Sequence, residues 1–124
     1  MWITRRAEFS ASHACRSPLL SDAENERLYG EEANPHGHGH DFGLEVTIEG
    51  ELDPLTGMVF DLKRLKEIIQ REIVSRFDHR FLNVEVSPFE SVIPTVENIA
   101  VEIWRRLEPC FAETTVRLHS VRVH

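Results

Sequence analysis

Residues 36–40 read His36-Gly37-His38-Gly39-His40, three imidazoles at alternate positions separated only by glycine. Along a β-strand side chains alternate faces, so His38 and His40 stand side by side on one face, as a metal ion requires. The glycines carry no side chain and let a ligand or another stretch of backbone come close. The plainer alternative is a Gly/His-rich surface turn that binds metal loosely. His13, at the end of the first apolar alternation, offers a third imidazole, or else a hydrogen-bonded residue at the margin of the core. Three neutral imidazoles give zinc three protein ligands and leave a fourth position open, which is the pattern of a catalytic site. An open zinc polarises a bound oxygen or lowers the pKa of bound water. Such chemistry needs a base. Glu31 and Glu32 lie just upstream of the histidines, and Asp78-His79 sets a carboxylate beside an imidazole. Each has a bland reading as well, solvated loop acids in the first case and a helix-end arrangement in the second. Cys15, two residues past His13, shares its face only if the strand continues that far.

The elements that must hold these groups follow from periodicity. Residues 2–13 alternate as a strand, with Ile3, Ala7, Phe9, Ala11 and His13 on one face. Residues 14–37 form a long connection rich in turn residues, with a short helix over Asp22 to Tyr29 capped by Ser21. Antiparallel pairing of the flanking strands closes this loop over the end where the histidines meet. From His38 to Leu52 the alternation is clean: His38, His40, Phe42, Leu44, Val46, Ile48 and Leu52 share the core face. The two histidines therefore point inward. After the turn Asp53-Pro54-Leu55-Thr56-Gly57, a helix runs from Asp61 as cap to about Arg76, with Leu62, Leu65, Ile69, Ile73 and Phe77 at helical spacing. A second helix starts at the cap Thr95 and runs to Pro109, and residues 114–124 make the last strand. The order β-β-α-α-β predicts an α+β layer with two helices on one face of an antiparallel sheet. Three strands leave exposed edges, which predicts either a further strand or edge-to-edge joining of subunits.

Bulk properties narrow the function. The chain has 124 residues, 41% of them hydrophobic and 28% charged, and is expected to form one domain over residues 1–124. A net charge of −7 and the lack of any Lys/Arg block argue against nucleic acid as a partner. An anionic substrate would need a local cluster of cations; Arg16, Arg27 and Arg80 are near the relevant loops, and each reads equally well as a solvated surface residue. Cys15 and Cys110 have no zinc-finger or Cys-x-x-Cys spacing. No apolar stretch follows Met1 to Arg6 as in a signal peptide, and none approaches membrane-spanning length, so the expectation is a soluble, cytoplasmic protein with no membrane partner.

Five segments in order carry a resemblance: Phe9-Ser10-Ala11-Ser12-His13, Gly37-His38-Gly39-His40-Asp41-Phe42, Asp53-Pro54-Leu55-Thr56-Gly57-Met58-Val59, Phe77-Asp78-His79 and Thr95-Val96-Glu97-Asn98. Together they resemble the 6-pyruvoyltetrahydropterin synthase family, which includes the bacterial 6-carboxytetrahydropterin synthases. The resemblance implies a tunnelling fold (T-fold) in which sheets from several subunits close into a barrel, commonly as a homohexamer of two stacked trimers. It implies Zn2+ held by His13, His38 and His40, and a pterin pocket at a subunit interface. The implied substrate is 7,8-dihydroneopterin triphosphate. Asp78 and His79 of a neighbouring subunit would act in proton transfer, and Thr95 and Glu97 would help hold the pterin.

Two departures qualify the resemblance. Where the family usually has a cysteine base ahead of the histidine pair, this chain has Glu32, as in a subgroup that cleaves the side chain to 6-hydroxymethyl-7,8-dihydropterin for folate synthesis. A carboxylate and a thiolate differ in pKa and reach, so the product is expected to differ too. The 6-pyruvoyl and 6-carboxy products stay open as alternatives, as does a non-catalytic zinc- or pterin-binding oligomer. Family members also continue past the position of His124 with a pterin-binding glutamate and often a fourth strand; within this chain Glu97 is the nearest candidate. The ligand pair His36/His38 has the same parity as His38/His40, and the choice of the latter rests on the strand that follows it directly.

Overall fold

The computed structural model describes residues 1–124. Its centre is an antiparallel pair, β1 (Trp2–His13) and β2 (His38–Glu49), in register from Trp2 opposite Glu49 to His13 opposite His38. Phe9, Ala11, Phe42, Leu44, Val46 and Ile48 are buried on one face of this pair, as the alternation requires. β4 (Arg117–Val123) pairs antiparallel with β2, with an irregularity between Thr47 and Ile48. β3 (Arg80–Phe81) runs parallel to β1 at Ala11 and Ser12, giving the order β3-β1-β2-β4.

The sheet is thus four-stranded and mixed, where three antiparallel strands were expected. A two-residue strand carries no alternation, so β3 left no periodic signal. β2 also ends at Glu49 and not at Leu52, which is half exposed. One further backbone pair, Gly50 with Met1, follows the last ladder position, and a Cβ on Gly50 would lie 2.7 Å from Val116 Cγ1. β4 starts late for a local reason, since the Thr114 hydroxyl bonds the Phe111 and Val116 carbonyls and curls the chain.

The helices cover the apolar face. α1 (Asp22–Tyr29) lies in the long connection. α2 (Leu62–Ile69) begins at Asp61, whose carboxylate accepts from Lys63 N–H at 2.9 Å. It continues through a π-helical turn (Gln70–Val74) into α3 (Ser75–Phe77). The buried residues Leu65, Ile69, Ile73 and Phe77 recur every fourth position. Four residues of α-helix overshoot a full turn by about 40°, so three such steps would swing Phe77 off the core. The wider π turn removes part of that drift. A single continuous helix over 61–76 was expected, and this widening is invisible to a simple periodicity. α4 (Leu82–Glu85) is one turn, and α5 (Val96–Leu107) buries Ile99, Ile103 and Leu107 against the sheet.

One charged side chain lies inside this layer. Glu102, 4% exposed, accepts from Arg105 Nε and NH2 and from Arg106 Nε, each at 2.7 Å. Arg106 also donates to the Ser87 carbonyl and lies over the Phe77 ring, 5.0 Å from its centroid. Burial pushes the Glu102 carboxyl up, but the two guanidiniums outweigh it and hold the group below its usual range. A depressed folded-state pKa stabilises the protein above the unfolded value, and this stabilisation disappears as pH falls through the folded one. Glu102→Gln is expected to cost about 1–3 kcal/mol in denaturant unfolding at pH 7. The gap to wild type should narrow as pH drops below about 4.3; a gap independent of pH would make the loss one of packing.

Candidate functional site

The β1–β2 register brings the histidines together. His13 ends β1 fully buried, opposite His38 and one pair away from His40. The rings of His13 and His40 are 4.9 Å apart between centroids, and those of His38 and His40 4.4 Å. His36 is separated from them. It is exposed on the turn closed by Gly37 N–H to the Asn34 carbonyl, and Gly37 has φ +93 with the Phe81 ring packed against it. A left-handed glycine between His36 and His38 breaks the alternation that parity alone could not resolve.

Glu32 reaches the same place from the long connection, which polar side chains hold in shape. Ser21 and Glu24 form a reciprocal capping box at the start of α1. Asn25, 1% exposed, donates to the Ser17, Leu20 and Ser21 carbonyls and accepts from Ser17 N–H. Arg16 bonds the Ala33 carbonyl and the Asp22 carboxylate. Asn83 clamps both backbone groups of Ala14, at 2.8 and 2.9 Å. The 3-10 turn Gly30–Ala33 is then fixed to the end of β1 by Cys15 N–H donating to the Glu32 carbonyl at 2.6 Å. Neither Asn25, Asn83 nor the Pro94 carbonyl described next was anticipated from sequence. A buried asparagine leaves no periodic trace, and a main-chain carbonyl leaves none at all.

The electrostatics of the cluster are one-sided. The Nδ1–H of His13 donates to the Pro94 carbonyl at 2.7 Å, which leaves Nε2 with its lone pair. Burial lowers the pKa of His13, against the opposing influence of Pro94 and Glu32, so the ring is neutral. Glu32 Oε1 lies 3.9 Å from His13 Nε2 and 3.3 Å from His40 Nε2. Neither contact has hydrogen-bond geometry, and both Nε2 atoms are buried without a partner. A lone pair and a carboxylate converging on one spot want a cation. These donors, two imidazoles and a carboxylate with a third imidazole adjacent, match the N/O preferences of zinc. The tightest grouping of ligand atoms is His13, Cys15 and Glu32, all within 4.8 Å of one another; His38 and His40 stand outside that grouping. Cys15 is buried, with Sγ 3.6 Å from both His13 Nδ1 and the Pro94 carbonyl oxygen. Burial, then the Glu32 and Glu97 carboxylates, push its thiol up to about 12, so it is no base at neutral pH.

Asp78 and His79 form a second group. Asp78 Oδ1 accepts from Ser10 N–H at 2.7 Å and Oδ2 pairs with His79 Nδ1 at 2.8 Å. The Ser10 N–H and, secondarily, the His79 ring hold the Asp78 carboxyl below its usual range against desolvation. His79 has φ +60, an uncommon backbone state for a side chain of this size, and its N–H donates to the Ser10 carbonyl. The pair therefore docks the helix exit onto β1 and does not cap the helix. No hydrogen bond or ion pair joins it to the three histidines, although His40 and His79 both line an open recess of about 600 Å³. Thr95 and Glu97 follow Pro94 directly. The Thr95 hydroxyl caps α5 by accepting from Asn98 N–H at 3.2 Å, and Glu97 is exposed in the first turn.

Comparison with known proteins agrees with this geometry. The sequence model of the 6-pyruvoyl tetrahydropterin synthase family matches residues 2–124. The chain is 46% identical over 106 residues to the 6-pyruvoyl tetrahydrobiopterin synthase of Homo sapiens, covering 86% of this chain and 73% of that protein. It is 37% identical over 105 residues to the dihydroneopterin monophosphate aldolase of Pyrococcus furiosus, covering 85% and 73%. The structure of the Caenorhabditis elegans 6-pyruvoyl tetrahydropterin synthase superposes with a TM-score of 0.85 at 32% identity, over all of this chain and 94% of that one. With its helices on one face of the sheet, the chain has the T-fold and belongs to the 6-pyruvoyl tetrahydropterin synthase family.

Proposed function

We propose that this chain is a zinc-dependent lyase acting on 7,8-dihydroneopterin triphosphate and cleaving its side chain to 6-hydroxymethyl-7,8-dihydropterin. The observation that carries this reading is Glu32 Oε1, 3.3 Å and 3.9 Å from two buried, unpartnered imidazole nitrogens. His13, His38 and His40 would hold the metal, with His13 aligned by the Pro94 carbonyl. Bound zinc supplies Lewis acidity to the side-chain hydroxyls of the substrate. Glu32 is the base: its carboxylate takes the proton from the hydroxyl on the second side-chain carbon. The bond between the first and second carbons then breaks, its electron pair passes into the ring imine, and a proton returns to the first carbon. The phosphorylated two-carbon fragment leaves as an aldehyde. Asp78 and His79 of a neighbouring subunit act in the proton return, Asp78 fixing Nδ1 so that Nε2 faces outward. Thr95 and Glu97, adjacent to Pro94, help hold the pterin.

A relative that is named an aldolase supports side-chain cleavage as chemistry this family performs. The relatives named as 6-pyruvoyl synthases support the runner-up, an internal redox transfer that eliminates the triphosphate and keeps all three side-chain carbons. Glu32 in place of cysteine favours cleavage. Residues 1–124 act as one domain, and its copies join through unpaired sheet edges into a hexamer of two trimers. β3 covers only Ala11 and Ser12, leaving most of the outer edge of β1 open, and β4 is the opposite edge.

Incubation of the zinc-loaded protein with 7,8-dihydroneopterin triphosphate, followed by mass spectrometry, should yield 6-hydroxymethyl-7,8-dihydropterin. A pyruvoyl or carboxyl product would overturn the assignment of product, and no product at full zinc loading would overturn the enzyme. Glu32→Gln should lower turnover by about 10²–10⁴-fold while zinc stays bound; retained activity would remove Glu32 as base. Metal analysis provides a separate check on the ligands. His38→Ala should lose stoichiometric zinc and His36→Ala should keep it, and the reverse would move the ligand pair to His36/His38.

A further inference from the structure

The proposed substrate carries a triphosphate, yet the chain has a net charge of −7 and an acidic connection beside the site. Some cation must work locally against that field. Arg16 is already committed, bonded to the Ala33 carbonyl and to Asp22. Arg27 is exposed on α1 and lines none of the principal recesses. Arg80 differs from both. It lines the recess shared by His40 and His79, alongside Ser12 and the bare backbone of Gly39. Its side chain is about half exposed and its guanidinium makes no hydrogen bond. Its one charged neighbour is Glu85, whose Oε1 makes a half-exposed ion pair with it at 3.6 Å while Oε2 accepts from Phe81 N–H at 2.6 Å. The other carboxylate in that wall, Asp41, accepts the Ser10 hydroxyl.

We infer that Arg80 is the phosphate-recognition residue that this chain contributes together with its Asp78-His79 pair, receiving in the recess beside His79 the phosphate chain of the substrate on which that pair acts. This rests on the function proposed above and adds its specificity determinant. A guanidinium presents five donors in a planar fork suited to phosphate oxygens. None of Arg80's is held in a hydrogen bond, and its only ion pair, to Glu85, is a half-exposed one at 3.6 Å. β3 fixes its position, because the pairing of Arg80 with Ala11 and the His79 backbone contact to Ser10 hold residues 79 and 80 on the same stretch of β1. A phosphate anchor therefore travels with the proposed proton-transfer pair into the site that this chain shares with a neighbouring copy, and the reacting side chain of the substrate lies between phosphate and pterin.

Two measurements test the inference. The first compares kcat/KM for 7,8-dihydroneopterin triphosphate with kcat/KM for unphosphorylated 7,8-dihydroneopterin. Arg80→Ala should lower this ratio by about 10- to 100-fold, as expected for loss of charge-assisted hydrogen bonds; Arg80→Lys should restore part of it and Arg27→Ala should leave it alone. Equal losses on both substrates, or an unchanged ratio, would overturn the assignment. The second is calorimetric titration of the folded protein with inorganic tripolyphosphate. Binding should weaken by a similar factor in Arg80→Ala, and equal binding would overturn the assignment. This arm decides even if neither pterin is turned over, an outcome that would count against the proposed function alone.

Discussion

Two buried imidazole nitrogens without hydrogen-bond partners, Nε2 of His13 and Nε2 of His40, meet the carboxylate of Glu32 at the open end of the β1–β2 pair. Left alone, such a cluster is unfavourable, since the two buried nitrogens lose water and gain no partner. A bound cation removes that cost, which is why the arrangement reads as a metal site independently of any relative. The rest of the structure serves to keep these atoms converged. Register sets His13 against His38, the Pro94 carbonyl orients the His13 ring, and Asn25, Asn83, Arg16 and the Cys15 N–H hold the connection that delivers Glu32.

This division of labour puts chemistry on a loop and precision in a sheet. The β1–β2 pair is rigid where it matters because its inner face is solid with Phe9, Phe42, Leu44 and Val46. The connection buries little apolar surface of its own, so its shape depends on polar contacts made by a handful of side chains. Fixing Glu32 through main-chain contacts leaves its carboxylate free to face the site. The same economy appears at Asp78-His79, where Ser10 supplies both a donor to the carboxylate and an acceptor for the His79 N–H.

Alternation made β1 and β2 legible from sequence, and with them the inward direction of His38 and His40. Helix caps at Asp61 and Thr95 were equally plain, because a polar side chain at the head of an apolar repeat has one good use. β3 escaped detection because two residues have no period, and the π turn because spacing by four reads as ordinary helix until its drift is summed. The choice between His36 and His38 was undecidable by parity, and the left-handed Gly37, which sets His36 on an exposed turn, had no counterpart in the pattern. The two groups of candidate residues could be named from sequence but not placed. Whether Glu32 stands near the histidines depends on contacts to backbone, the Cys15 N–H to the Glu32 carbonyl among them, and no residue type encodes a backbone contact. The open edges of the sheet were foreseen from strand count, although the count itself was short by one.

The claim on which everything else depends is the location of the cation. Crystals of the zinc-loaded protein, measured on either side of the zinc absorption edge, would show it directly by anomalous scattering. The account predicts one peak bonded to ring nitrogens of His13, His38 and His40 at about 2.0–2.1 Å, with the Glu32 carboxylate close by and unbonded. A peak bonded to Cys15 Sγ and Glu32, or none among these residues, would contradict it.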